Sequence, residues 1–225
     1  MGKKFIEIST QTMYDRYYNL LVHRGLVGRI FAISNKMIEK RFNKFEGGQI
    51  LELGATNLHH LKFVKQKFDS YIVSDLEIKN FPQILPEKVQ IQQLDAMNLN
   101  LIADNTFDRV IVTCLIIHVS DMNSALLEWR RVLKPGGYIS IYVHCEPGLM
   151  LRLSRYFGTR IKAKKLGYDH LNIVYTNHLT HFLSAKYAIQ KVFMSDEISI
   201  SAFPFQKFSW NFNLWKIYTI QKSIQ

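Results

Sequence analysis

Between Gln49 and Val143 the sequence repeats one unit: a short, almost wholly apolar run, a turn, then a stretch with helical spacing. The runs are Ile50-Leu-Glu-Leu, Tyr71-Ile-Val-Ser-Asp75, 89–95, 107–114 and 138–143. A strand that is apolar on both faces must be covered on both, as in a parallel sheet between layers of helices. Right-handed crossovers then give a doubly wound, Rossmann-like α/β layout. Helices are expected over 57–68, with Leu58, Leu61, Val64 and Phe68 inward, and over 121–133, with Asp121 as N-cap. Pro135 stops the second helix, and Gly136-Gly137 turns the chain into the fifth strand.

The flanks follow a different rhythm. Residues 1–46 read as a helical cap: Leu26, Val27, Ile30, Ile33, Met37, Ile38 and Phe42 form one apolar stripe, and a tyrosine-rich helix candidate starts at Met13. Gly47-Gly48 punctuates its end. After His144 the repeat breaks, and 144–185 is expected to be an insertion, too long for a simple crossover. A helix over 184–193 and strands over 197–201 and 214–220 close the chain. Too few residues separate those strands for a crossover, so an antiparallel pair is expected. The 225 residues thus read as one domain: cap 1–46, core 47–143, insertion 144–185 and closing elements 186–225.

A formal charge of +11 calls for something anionic nearby: nucleic acid, a phosphorylated metabolite or an acidic membrane surface. Much of it sits at 151–166, where Arg152, Arg155, Arg160, Lys162, Lys164 and Lys165 meet no acidic residue; a solvated helix face is the plain alternative. Cys114 and Cys145 are too few for a disulfide framework, which with the absence of an apolar leader leads to the expectation of a cytoplasmic protein. No apolar run is long enough to span a bilayer, though peripheral membrane contact stays open.

Glu52, Asp75 and Asp95 fall at or beside the ends of the first three strands, the edge where an open α/β sheet binds its ligand. Asp75 is placed to accept a ribose's two hydroxyls. Asp95 followed by Ala96 offers an acceptor and a small surface for a flat base, and Glu52 can fix the first loop or meet a cationic group. Helix capping is the alternative for each. The turn Gly54-Ala-Thr-Asn lacks the glycine spacing of a dinucleotide site, which disfavours NAD.

Taken in order, these motifs resemble those of class I S-adenosylmethionine-dependent methyltransferases. Ile50-Leu-Glu-Leu-Gly-Ala is similar to the family's first motif, Ser74-Asp75 to its acidic second-strand end and Leu94-Asp95-Ala96 to its adenine-side motif. Asp104 to Val119 resembles its fourth strand and following loop, and Leu126 to Gly137 the helix and turn before strand five. The resemblance implies a seven-stranded sheet whose last strand is antiparallel, with S-adenosyl-L-methionine as cofactor. It implies that Glu52, Gly54 and Ala55 face the methionine, Asp75 and Leu76 the ribose side, Asp95 and Ala96 the adenine, and Thr113 and Cys114 the sulfonium. Tyr14 and Tyr17 could close over the site as a lid, or serve in core packing or at the surface. Thr56 and Leu58 stand where the family usually has glycines, which implies a shifted loop or a lowered cofactor affinity.

Methyl transfer to a hydroxyl needs a base, and histidine suits neutral pH. His144, directly after strand five, is favoured as catalytic residue over His118 after strand four. A metal site from His144, Cys145, His178 and His181 matches no standard zinc spacing. The insertion is similar to that of small methyltransferases of bacterial surface-polysaccharide synthesis. That likeness implies a nucleotide- or lipid-linked sugar as an anionic acceptor, with Arg152, Arg155, His178 and His181 binding it. RNA methylation is the rival, though Cys114-Leu-Ile-Ile replaces a base-methylating Asn-Pro-Pro-Tyr. A cofactor-dead scaffold binding an anionic partner is the non-enzyme rival.

Overall fold

The computed structural model describes Tyr17 and residues 25–56, 58–78 and 81–224. Seven strands form one sheet: β1 (Gln49–Leu53), β2 (Ser70–Asp75), β3 (Val89–Gln93), β4 (Phe107–Val112), β5 (Leu133–His144), β6 (Glu197–Phe203) and β7 (Trp215–Gln221). Their order is β3-β2-β1-β4-β5-β7-β6. The first five pair in parallel, and β7 runs antiparallel between β5 and β6. This is the expected Rossmann-like sheet with its last strand antiparallel. Sequence order reverses between β1 and β4, so the loops after those strands diverge and leave a crevice at their C-terminal ends.

Strand parity divides the core into two layers. Leu51, Leu53, Val110, Val112, Ile139 and Ile141 face α2 (Met122–Val132), and α6 (Phe182–Val192) packs on the same side. Asp121 caps α2 by accepting the Ser124 N–H at 3.0 Å, as the sequence suggested. The opposite face turns Ile50, Ile111, Tyr142, Trp215 and Ile217 toward α1 (Gly25–Glu39), which lies within the expected N-terminal cap.

A buried polar cluster seats the end of α1 on that face. Arg109 of β4 donates to both oxygens of Glu39 at 2.9 and 2.7 Å and stacks 3.6 Å over the Phe42 ring. His60 bridges Glu39 at 2.8 Å and Asn35 at 2.9 Å. Burial acts to raise the Glu39 pKa, but the His60 hydrogen bond and the Arg109 guanidinium outweigh it and hold the carboxylate ionised.

The structure departs from expectation at two elements. Where a helix is expected over 57–68, the described residues 58–68 form no α-helix; a single 3₁₀ turn, His60–Phe63, stands there. Leu58, Leu61, Val64 and Phe68 still pack inward, so their spacing reported burial without reporting conformation. His60 and Gln66 are drawn to Glu39 and to the Gly47 carbonyl, contacts that a regular helix would have to break. β5 begins at Leu133 instead of Tyr138, with the extra residues 134–137 bulging between the pairs Phe107–Leu133 and Arg109–Tyr138. The insertion after β5 holds α3 (Leu149–Ser154), a π-helical turn (Arg155–Thr159), α4 (Arg160–Lys165) and α5 (His170–Asn177).

Candidate functional site

The β1 loop turns sharply. Gly54 has φ +66°, and a Cβ there would sit 2.8 Å from the Leu115 side chain, so both conformation and space require glycine. Thr56 adopts φ +54°, which a β-branched residue enters only at a cost on the order of 1–2 kcal/mol. Its amide is held by Asp75 at the end of β2, whose Oδ2 accepts the Thr56 N–H at 2.8 Å. Among the described residues the other Asp75 oxygen meets only the Glu77 N–H, at 3.4 Å. A carboxylate offers about four acceptor positions, so Asp75 keeps capacity toward the crevice. Leu76 beside it is 59% exposed, Asp95 accepts the Met97 N–H at 2.9 Å, and Ala96 is buried. An acceptor flanked by an exposed apolar side chain and a small residue fits a nucleoside.

A cavity of about 350 Å³ lies on the α1 face between α1 and the insertion. Its lining is mostly apolar: Val27, Ile30 and Phe31 of α1, Leu151, Val174 and Trp215 among others. His144, the last residue of β5, is part of that lining. The Nδ1 of His144 lies 3.2 Å from the Tyr142 hydroxyl, and its Nε2 is buried with no hydrogen-bond partner among the described residues. Trp215, paired with His144 across the β5–β7 ladder, leaves its Nε1 in the same state. Burial, with the Arg155 and His178 charges, pushes the His144 pKa well below its ordinary value, so the imidazole is neutral at pH 7.

A charged group sits behind it. Glu146 accepts from Arg155 at 2.6 and 3.1 Å and pairs with His178 Nδ1 at 2.6 Å. Burial works against ionisation there, but those two partners hold the carboxyl far below the usual range. His178 stacks on His144 at 6.1 Å and meets His118 edge-on at 5.2 Å. The Nδ1–H of His118 donates to the Asn177 carbonyl at 2.9 Å, and burial pushes its pKa down to about 4. The hydroxyl of Tyr17 bonds His170 Nδ1, and Thr159 bonds His170 Nε2 at 3.0 Å.

Residues 51–141 match the sequence model of a family described as "Methyltransferase domain". A demethylmenaquinone methyltransferase of Staphylococcus epidermidis is 43% identical over 65 residues, 29% of this chain and 27% of that protein. The match thus spans about a quarter of that relative's length. Among solved structures, the [4+2]-cyclase SpnF has a TM-score of 0.62 at 14% identity, with both chains fully covered. A SAM-dependent methyltransferase from Thermotoga maritima has a TM-score of 0.56 at 18% identity, covering 94% of this chain and 95% of that one. Residues 51–141 thus match a methyltransferase domain, and the chain has the fold of the S-adenosylmethionine-dependent methyltransferases.

The structure distributes the expected site residues unevenly. Gly54, Ala55, Asp75, Leu76, Asp95 and Ala96 gather at the crevice. Glu52 is 1% exposed and accepts the Tyr71 hydroxyl at 2.8 Å on the α1 face, where burial raises its pKa. It supports the loop from beneath. β4 ends at Val112, so Thr113 and Cys114 lie just past the strand, with Cys114 at φ +57°. Tyr17 is buried against Tyr168 and His170 and lines the cavity instead of lying over the crevice; Tyr14 lies outside the described residues. His178 and Arg155 line the cavity, with Arg155 engaged by Glu146, whereas Arg152 and His181 are exposed outside it. His118 is not part of the lining. Sequence reasoning missed Glu146, Tyr142 and Trp215, and counted His170 only as one of the insertion's histidines that could act as a base. Period-two parity along β5 places Tyr142 on the face of His144; Glu146 and Trp215 carried no signal.

Proposed function

We propose that this chain transfers a methyl group from S-adenosylmethionine to a nucleophile on a largely apolar small molecule held in the cavity. The observation that carries the reading is the cavity wall itself: apolar side chains around a neutral imidazole whose Nε2 has no partner among the described residues. A buried polar nitrogen without a partner costs free energy unless a ligand supplies one.

On this reading Asp75 accepts the ribose hydroxyls, Leu76 and Ala96 flank the adenine, Asp95 takes its amine, and Gly54 and Ala55 border the methionine. The bound cofactor supplies an electrophilic methyl. His144 serves as the proton acceptor. In the tautomer whose Nδ1–H donates to the Tyr142 hydroxyl, Nε2 offers its lone pair to an acceptor hydroxyl. The proton passes from that oxygen to Nε2 as the oxygen attacks. Arg155 and Glu146 hold His178 against His144 and so fix the ring's orientation. The apolar walls exclude water, which keeps the attacking oxygen the only nucleophile in reach. Ala55 and Cys114 pack in the same core layer as Tyr142 and Trp215, which supports one continuous site from loop to cavity.

The sugar acceptor expected from the sequence draws no support from the relatives, and the cavity's chemistry runs against it. Its arginine is spent on Glu146, and the Tyr17, Thr159, His170 and His178 side chains on its wall are engaged with protein partners. The test is transfer of labelled methyl to a panel of apolar hydroxyl compounds and of sugar nucleotides. Transfer to the sugars alone would overturn the reading.

A further inference from the structure

The insertion presents a second surface, outside the cavity. α3, the π turn and α4 follow one another without a break, and Leu149, Leu153, Phe157 and Ile161 recur along them every fourth residue. They are 48, 44, 69 and 47% exposed. Four-residue spacing keeps side chains near one helix face, so this stripe is turned away from the core that such a stripe ordinarily meets. The connection between β6 and β7 extends it. The Gly148 backbone before α3 lies against Asn211, and Phe205, Phe208 and Phe212 form an exposed aromatic chain with centroids 5.1 and 6.3 Å apart. Exposed apolar patches of this extent mark interaction sites.

The charge around the patch selects the partner. Arg152, Arg160, Lys164 and Lys165 are exposed beside the stripe, and Lys207 stands between Phe205 and Phe208. No acidic residue occurs from 147 to 168 or from 198 to 225. We propose that this surface docks on an anionic lipid bilayer, with the leucines and phenylalanines in the headgroup–acyl boundary and the basic side chains among the phosphates. Leucine and phenylalanine flanked by Lys and Arg on a surface helix are the composition that binds in the interface plane. A nucleic acid would use the charge but leave the aliphatic stripe in water. Among the described residues no helix is long and apolar enough to cross a membrane, so the contact is peripheral. Phe157 belongs to both the stripe and the cavity lining, which brings the cavity rim to the docked face. An apolar acceptor dissolved in the bilayer thus reaches the site without crossing water. That clause rests on the proposed function; the docking does not.

The experiment is co-flotation of the full chain with vesicles of phosphatidylcholine alone and with phosphatidylglycerol mixed in, at low and high salt. Flotation only with the anionic vesicles, weakened by salt, is expected. Arg152→Glu with Lys164→Glu should lower the partition coefficient at least 25-fold, from roughly fivefold per basic residue. Leu153→Glu with Phe208→Glu should abolish flotation while thermal unfolding stays near that of the parent. Absence of flotation, equal flotation with neutral vesicles, or either pair of variants floating like the parent would overturn the proposal. So would salt-sensitive binding to single-stranded RNA by a chain that ignores the vesicles.

Discussion

His144→Ala isolates the base. A positioned general base is typically worth 10²–10⁴ in rate, about 3–5 kcal/mol at 1.36 kcal/mol per tenfold. The structure bears on that figure in two ways. Burial and the nearby Arg155 and His178 charges depress the His144 pKa, so the ring is already deprotonated at pH 7 and none of the effect is lost to protonation. The same depression makes it a weaker base, which puts the expected loss toward the lower end, about a hundredfold. Cofactor affinity should not change, because Asp75 and Asp95 lie on the crevice and not on the cavity wall. The assay is single turnover at saturating labelled cofactor, run from pH 5 to 9 with an acceptor found by the panel. Wild-type activity should hold as pH falls past about 6.5, the ordinary imidazole value, and decline only below it. An acceptor-independent check is the ¹⁵N imidazole titration of His144. A variant within threefold of wild type, or a ring that titrates at its ordinary value, would refute the assignment; a milder loss is expected for His118→Ala.

Three further outcomes follow from the same structure. Asp75→Ala should weaken S-adenosylhomocysteine binding by about 1.5–3 kcal/mol in calorimetry, since a charged acceptor is lost, with Asp95→Ala costing less. Glu39→Ala should lower unfolding free energy by about 3–5 kcal/mol in a denaturant titration because Arg109 is left buried and unpaired, and Glu39→Leu with Arg109→Met should cost less than that single change. Burial pushes the His118 and His170 pKa values down to about 4, so the unfolded chain binds their protons first. Their contribution is complete above about pH 6.5 and is lost as pH falls toward 4; the melting temperature should drop across that window, less steeply for His170→Gln.

Strands were legible because each is a short apolar run, and that pattern has few readings in an alternating chain. The stretch from 57 to 68 was not legible, because apolar spacing is blind to the polar partners that decide conformation; His60 answers to Glu39, 21 residues away. The crevice residues were legible from their place at strand ends. The cavity was not: it is built from α1, β5 and the insertion, and the pairing of Arg155 with Glu146 depends on how the chain folds back after His144. Four basic residues of the run at 152–165 lie exposed as a charge count suggests, but the count does not say that Arg155 turns inward to Glu146.

The cluster of Arg109, Glu39 and His60 fixes one end of α1, while the other end forms the wall of the cavity with Val27, Ile30 and Phe31. Such a helix is a lever. At about 1.5 Å per residue, Leu26 stands roughly 20 Å from the Glu39 fulcrum, so a five-degree tilt carries it about 1.7 Å. The sheet and the crevice need not move at all. The width of the cavity is therefore coupled, along one helix, to a buried ion pair that lies outside it.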